Sequence, residues 1–265
     1  MVPVMTIITC TVTLLISLVL PIGVLIGLEH KNKKQGIDSA WLLGAAGFFV
    51  TQILIRLPLL TFLQSRSDFA AFARNNPFIY SFSLAFTAGL FELAGRLGAA
   101  KLMEKKMTWK RAVAAGLGHG GIESMLLIGM TYINNLLFIG LINLGLFDKM
   151  LAGIADPGVD ISQLELIRTQ LVGTAPAVFL LAGYERILTM VGHTAMSVLI
   201  CYGMAHKKLG ICMLLCLGLH TLIDLTAGLS LVLPQNMVYP IIYAILTVMA
   251  VLSVVILKQI RNRWT

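Results

Sequence analysis

The stretch FELAGRLGAAKLMEKKMTWKRAVAAGLGHGGIES, residues 91–124, places four ionisable side chains in two apolar helices that flank a short basic segment. Glu92 and Arg96 lie four residues apart in the first helix, and His119 and Glu123 lie four apart in the second. Residues at this spacing share one face of a helix. An ionisable group inside a membrane helix costs about 2.5–3.5 kcal/mol even on the lenient insertion scale. We therefore expect the chain to use these four groups.

The composition is that of a membrane protein. Of the 265 residues, 58% are hydrophobic and only 12% are charged, whereas about 25% of a soluble domain is charged. We predict an all-α polytopic membrane helix bundle, formed as one integral membrane domain over residues 1–265 and located in a bacterial cell membrane. The net charge of +8 is explained by basic loops on the cytoplasmic side of the lipid bilayer, so no nucleic-acid partner is expected.

The apolar segments predict seven transmembrane helices. They lie at residues 3–28, 40–63, 77–100, 112–146, 176–205, 209–231 and 237–257. The fourth is longer than one span needs, so one span and two spans both remain open. The segment ISQLELIRTQLV, before the fifth span, has the pattern of a short amphipathic surface helix.

The basic residues predict which way the bundle crosses the membrane. With seven spans, one set of loops and ends carries thirteen Lys and Arg residues and the other set carries four. Basic residues gather in cytoplasmic loops. The N-terminus is therefore expected outside and the C-terminus in the cytoplasm.

Two later helices add ionisable residues at a similar depth. His193 lies in the fifth span, and His220 and Asp224 lie in the sixth. With about 1.5 Å of rise per residue, Glu92 and His119 lie roughly 12 Å from the cytoplasmic ends of their helices. His193 and His220 lie roughly 17–18 Å from theirs. The helices within residues 77–230 are therefore expected to build one polar cavity.

The chemistry of this set leaves two possibilities open. A carboxylate beside histidines can hold and deprotonate a water molecule without a cofactor. The same side chains can instead bind Zn²⁺, which takes imidazole nitrogens and carboxylate oxygens. If a metal is bound, the expected ligands are His119, Glu123, His193 and His220. In either case Arg96 is expected to orient Glu92, and Asp224 to orient the imidazole of His220.

A resemblance to a known family rests on the same residues. The motif ExxxR at Glu92, GHGxxE around His119, the later His193 and HxxxD at His220 resemble the YhfC-type family of predicted intramembrane proteases, which is related to the PrsW and CAAX-prenyl-protease group. The resemblance covers residues 77–230. It implies a glutamic-type hydrolase in which Glu and His activate water, although older descriptions call such proteins metalloproteases.

Two positions depart from the pattern of the wider group. Phe91 stands where relatives commonly have a second glutamate, and Asp224 stands where many have Asn. The first departure leaves open whether Glu92 or Glu123 is the general base. The expected catalytic set is then Glu92, Glu123, His119, His193 and His220.

The predicted function is that of an intramembrane endopeptidase. Its site lies in the cytoplasmic half of the membrane, and its partner is a membrane-embedded or membrane-proximal peptide or protein. One alternative is a proton or divalent-cation transporter that uses the same residues. Another is a membrane protein that binds peptides without catalysis. The sequence names neither the substrate nor the oligomeric state.

Overall fold

A computed structural model describes residues 1–32, 36–154 and 161–264, and within these ranges the chain is helical with no strand. Seven of the helices are long and apolar enough to cross a membrane. In chain order the helices are α1 (Val4–Lys31), α2 (Ile37–Gln64), α3 (Ser67–Asn75), α4 (Pro77–Met103), α5 (Trp109–Asn143), α6 (Phe147–Gly153), α7 (Ser162–Gly173), α8 (Pro176–Ala205), α9 (Leu209–Leu231) and α10 (Gln235–Arg261).

The prediction of seven membrane helices is confirmed. The spanning helices are α1, α2, α4, α5, α8, α9 and α10, and the bounds of α8 and α9 agree with the sequence prediction. The long fourth segment is one continuous helix of 35 residues, α5. The predicted surface helix is present as α7, in which Leu171 is buried. The orientation of the termini across the membrane stays a prediction.

Three spanning helices leave α-helical geometry beside the ionisable residues. In α2 the segment Phe49–Arg56 is a π-helix, and in α5 the segment Ser124–Gly129 is one. The latter begins directly after Glu123. In α9 the segment Thr226–Leu231 is a 3₁₀-helix that begins two residues after Asp224. Such local changes of helix geometry are frequent at functional sites.

The chain forms two compact units, and the prediction of a single domain stays a prediction. One unit comprises Met1–Pro21 and Ser124–Ile187. In it the backbone carbonyl of Phe179 accepts hydrogen bonds from Tyr132 Oη at 2.7 Å and from Thr13 Oγ1 at 2.8 Å. These bonds tie α1, α5 and α8 together within the unit.

The other unit comprises Ile22–Glu123 and Leu188–Thr265. Its buried core includes Ile37, Met103, Met196, Ile200 and Cys216, so α2, α4, α8 and α9 all contribute to it. The four cysteines of the chain are free. All of the ionisable residues singled out in the sequence lie in this unit.

Close helix packing in the second unit depends on glycine. A Cβ atom on Gly120 of α5 would lie 2.9 Å from the Cβ of His193 on α8. A Cβ on Gly116 would lie 2.5 Å from the Cα of Thr194. Small residues let membrane helices approach closely. The glycines around His119 therefore hold α5 against α8, which brings the two histidines together.

Candidate active site

One carboxylate oxygen, Oε2 of Glu92, is the point on which four side chains converge. His220 Nε2 lies 2.7 Å from it, His119 Nε2 lies 3.0 Å from it, and His193 Nδ1 lies 3.5 Å from it. Arg96 donates a hydrogen bond to the same oxygen at 3.0 Å. The ionisable residues that the sequence placed at similar depth therefore form one buried cluster around a single atom.

Four helices of one unit supply this cluster. Glu92 and Arg96 come from α4, His119 from α5, His193 from α8 and His220 from α9. All five residues are buried, with exposed fractions between 1% and 4%. Buried charges are tolerated only when they are paired and hydrogen-bonded, and Arg96 and Glu92 pair with each other.

Hydrogen bonding fixes the tautomer of His193. Arg96 Nη2 lies 2.6 Å from His193 Nδ1. A guanidinium group only donates, so Nδ1 must accept and carries no proton. The proton of this imidazole is then on Nε2, which lies 2.8 Å from Oε2 of Glu123. His193 therefore lies between Arg96 at Nδ1 and Glu123 at Nε2.

The carboxylate of Asp224 lies on the side of the His220 ring that faces away from Glu92. Nδ1 of His220 lies 3.4 Å from Oδ2 of Asp224, one turn further along α9. His220 thus has a carboxylate on each side, Glu92 at Nε2 and Asp224 at Nδ1. Nδ1 of His220 makes no hydrogen bond among the described residues, so the orienting role of Asp224 stays a prediction.

The outer side of His119 faces a small cavity instead of a carboxylate. Its Nδ1 atom and the Nε and Nη1 atoms of Arg96 are buried and have no hydrogen-bond partner among the described residues. Both residues line a cavity of about 10 Å³ together with Ser197 and Cys201. That volume matches about one water molecule. The imidazole is also held by the ring of Phe48, edge-on at 5.4 Å between centroids.

Two residues of α2 belong to this site and were missed in the sequence. Gln52 Nε2 donates to Oε1 of Glu92 at 2.9 Å and to the carbonyl of Ala88 at 3.2 Å. Arg56 donates to Gln52 Oε1 at 3.3 Å and to the carbonyl of Leu84 at 2.7 Å. The sequence signal was an amide residue four positions before an arginine in an apolar helix.

The model of a protein family described as YhfC intramembrane metalloprotease matches residues 16–247. The chain belongs to the YhfC intramembrane metalloprotease family. The resemblance noted in the sequence is confirmed. Among individual proteins, the uncharacterized membrane protein YhfC of Bacillus subtilis (strain 168) is 29% identical over 216 residues, which cover 81% of each chain. No solved structure matches the chain.

The donor atoms of this YhfC family member fit the metal that the family description implies. Glu92, His119 and His193 each offer a ligand atom, and these atoms lie within 4.8 Å of one another. Around a tetrahedral ion with bonds of about 2.0–2.2 Å, neighbouring ligand atoms lie roughly 3.3 Å apart. The separations of 3.0 Å and 3.5 Å from Glu92 Oε2 to His119 Nε2 and His193 Nδ1 lie on either side of that value.

This set differs from the metal ligands expected from the sequence, which were His119, Glu123, His193 and His220. His119 and His193 are common to both sets. Glu92 takes the place expected for Glu123, which contacts the outer nitrogen of His193 instead. His220 faces Glu92 from a separate helix. Whether these residues act as predicted stays a prediction.

Proposed function

We propose that this YhfC family member is an intramembrane endopeptidase that hydrolyses a peptide bond with an activated water molecule. The observation that carries the proposal is the convergence of His119, His193 and His220 on one oxygen of Glu92. Three imidazoles and a carboxylate buried in a membrane protein are costly to keep without a use. Their arrangement supplies both proton transfer and stabilisation of developing negative charge.

The metal-binding residues of the proposal are Glu92, His119 and His193. Gln52 and Arg96 direct hydrogen bonds at both oxygens of the Glu92 carboxylate, so this group is held as an anion and suits a ligand better than a base. When bound, a divalent ion such as Zn²⁺ would act as a Lewis acid that polarises the scissile carbonyl and makes water a better nucleophile.

Glu123 is the general base of the proposal. It lies on the same helix as His119, one turn further on, and Oε2 is 2.8 Å from His193 Nε2. Its side chain is 11% exposed against 5% for Glu92. Glu123 takes one proton from the attacking water as the C–O bond forms. It then gives a proton to the departing amine as the C–N bond breaks, so protons balance over the cycle.

His220 stabilises the oxyanion that forms on the attacked carbonyl. Its Nε2 atom lies 2.7 Å from Glu92 Oε2. Its Nδ1 atom, on the other side of the ring, lies 3.4 Å from Asp224 Oδ2. A positioned donor of this kind contributes when charge develops in the transition state. Arg96 contacts both Glu92 and His193 and fixes their relative position, so it has a positioning role.

The site is proposed to open toward the cytoplasm. The basic segment of residues 101–111 joins the two helices that carry Glu92 and His119. Basic connecting segments lie on the cytoplasmic side. The bond cleaved is therefore expected in the half of the membrane next to that side.

The test uses a set of single-span transmembrane reporter peptides, each with a fluorophore and a quencher, reconstituted with the full chain in proteoliposomes. Wild-type protein is expected to cleave at least one reporter, and Glu123→Gln to slow cleavage by at least about 10³-fold because proton transfer is lost. Glu104→Gln is the matched control, since Glu104 pairs with Lys101 at the surface. Cleavage by Glu123→Gln at the wild-type rate would refute its role as base. Full cleavage by Glu92→Gln would refute the proposed site.

A further inference from the structure

The small cavity beside His119 lies among four helices of one unit. It has a volume of about 10 Å³ and is lined by residues of α2, α4, α5 and α8, all within the unit of Ile22–Glu123 and Leu188–Thr265. This is about the smallest volume that can hold a water molecule. Its walls include Arg96, Ala99, Met103, His119, Ser197 and Cys201.

Three buried polar atoms of the cavity wall have no hydrogen-bond partner in the part of the chain that the structure describes. They are Nδ1 of His119 and the Nε and Nη1 atoms of Arg96. Burying polar atoms without partners is costly. A buried water molecule typically makes about three hydrogen bonds to such atoms. One water molecule in this cavity would therefore satisfy the whole set.

The pattern of donors and acceptors favours water over an ion as the occupant. The two Arg96 atoms can only donate. Nδ1 of His119 accepts when Nε2 donates to Glu92, and it donates when Nε2 binds a metal ion. Water can pair with Nδ1 in both cases because it donates and accepts, whereas a halide ion only accepts. The positive charge of Arg96 is moreover already paired with Glu92, so little charge is left to hold an anion.

We propose that this cavity holds one structural water molecule, which bonds to Nδ1 of His119 and to Arg96 and so positions the imidazole of His119. The hydroxyl group of Ser197 in the cavity wall is a third partner of this water, which makes Ser197 a further positioning residue. A metal-bound histidine commonly has a carboxylate, a backbone carbonyl or water at its other nitrogen. The positioning of a metal ligand rests on the proposed function, whereas the presence of the water does not.

The experiment is X-ray radiolytic footprinting of the full-length protein in lipid nanodiscs. Radiation splits water into hydroxyl radicals, which oxidise the side chains beside the water, and cysteine and methionine are readily oxidised. Cys201 and Met103 line the cavity and are only 2% and 1% exposed, so radicals formed in bulk solvent do not reach them. Their oxidation, mapped by mass spectrometry, therefore reports a water bound beside them.

The matched reference side chains are Cys10 and Met196. They are 0% and 1% exposed and do not line the cavity. We expect Cys201 and Met103 to be oxidised at least about tenfold faster than this pair, because only they contact a water molecule. Equal oxidation of all four side chains at the background rate would overturn the proposal.

Ala99→Val should displace the water, since it adds two methyl groups to the wall of a cavity with room for about one water molecule. Oxidation of Cys201 and Met103 should then fall to background. Zn²⁺ affinity, measured by competition with a chelator, should weaken about tenfold because His119 loses its outer partner. Unchanged oxidation of both side chains would overturn the water site, and lost oxidation with unchanged Zn²⁺ affinity would overturn the positioning role.

Ala85→Val is the matched control, because Ala85 is a buried alanine of the same helix that does not line the cavity. Its oxidation pattern and Zn²⁺ affinity should equal those of the wild type, and all variants are compared at an unchanged melting temperature. Ser197→Ala is a milder second variant. It should weaken Zn²⁺ binding about fivefold, because the water loses one hydrogen-bond partner. Wild-type Zn²⁺ affinity in this variant would remove Ser197 from the proposal.

Two further comparisons identify the occupant and separate this proposal from the peptidase proposal. Oxidation of Cys201 and Met103 should be the same in chloride and in sulfate buffer, and oxidation seen only without chloride would make the occupant a halide ion and overturn the proposal. Glu123→Gln should be oxidised like the wild type while reporter cleavage is lost. Wild-type protein that is oxidised at these side chains but cleaves no reporter would count against the peptidase alone. Cleavage without such oxidation would overturn the water site alone.

Discussion

Arg96 donates a hydrogen bond to Nδ1 of His193 at 2.6 Å, and the same Nη2 atom lies 3.0 Å from Oε2 of Glu92. One guanidinium group therefore bridges α4 and α8 inside the site. The single lone pair on His193 Nδ1 can either accept a hydrogen bond from Arg96 or bind a metal ion, but not both at once. Arg96 accordingly positions two of the proposed ligands and also competes with the ion.

The substitution Arg96→Gln should separate metal affinity from activity. Removing a positive charge beside a divalent ion and freeing His193 Nδ1 should tighten Zn²⁺ binding about tenfold or more. Reporter cleavage should fall, since Glu92 and His193 lose the group that orients them. Metal affinity is measured by competition with a chromophoric chelator.

The control for this pair of measurements is Arg74→Gln, on α3, where no site residue lies. Its metal affinity and cleavage rate should equal those of the wild type. If Zn²⁺ binding instead weakens in Arg96→Gln at an unchanged melting temperature, Arg96 does not compete with the ion and the proposed ligand set is contradicted.

Gln52 is expected to act on the reaction through Glu92. Gln52→Leu removes the donor to Oε1 and should lower kcat about fivefold, which corresponds to about 1 kcal/mol for one lost hydrogen bond in a buried site. KM should change little because Gln52 contacts Glu92 and backbone. Gln64→Leu on the same helix, where the amide bonds the exposed Tyr80 hydroxyl, should leave both constants unchanged. A raised KM at constant kcat would assign Gln52 to substrate binding instead.

Glycine at position 120 should prove necessary for the packing of α5 on α8. In Gly120→Ala the new Cβ would meet the Cβ of His193 at 2.9 Å. Overpacking of this kind costs about 1–3 kcal/mol, so thermal unfolding in detergent should shift downward and cleavage should fall. Gly98→Ala is the contrast, because a Cβ there has nothing within 4 Å. Alanine in mid-helix favours folding by about 1 kcal/mol over glycine, so Gly98→Ala should be neutral or stabilising. Equal effects of the two substitutions would contradict this packing.

The sequence was sufficient to predict the seven spanning helices and α7, but not the short helices α3 and α6. Hydropathy identifies apolar segments of membrane length without information on the helices that pack against them. The predicted bounds of α8 and α9 agree with the observed ones. It also put Glu92, His119, His193 and His220 at similar depth, because depth follows from counting residues along a helix. These four side chains do meet.

Counting residues along a helix does not predict how the helix is rotated about its own axis. Depth does not say which face of each helix points inward, so the convergence on one oxygen of Glu92 and the pairing of Glu123 with His193 came only from the structure. Gln52 and Arg56 were missed for a related reason. The π-helical segment Phe49–Arg56 changes the spacing of faces along α2. Arg56 bonds inward to Gln52 and to the carbonyl of Leu84.

The most direct test of the central claim is the metal content of the detergent-purified chain, measured by elemental mass spectrometry for wild type and two glutamate variants, with reporter cleavage before and after chelation. Wild-type protein should hold about one Zn²⁺ per chain and lose cleavage on chelation, with recovery when Zn²⁺ is added back. Glu92→Gln should lose the metal as well as the activity, whereas Glu123→Gln should keep the metal and lose the activity. Wild-type protein that binds no divalent metal and cleaves its reporter in the presence of a chelator would contradict the claim.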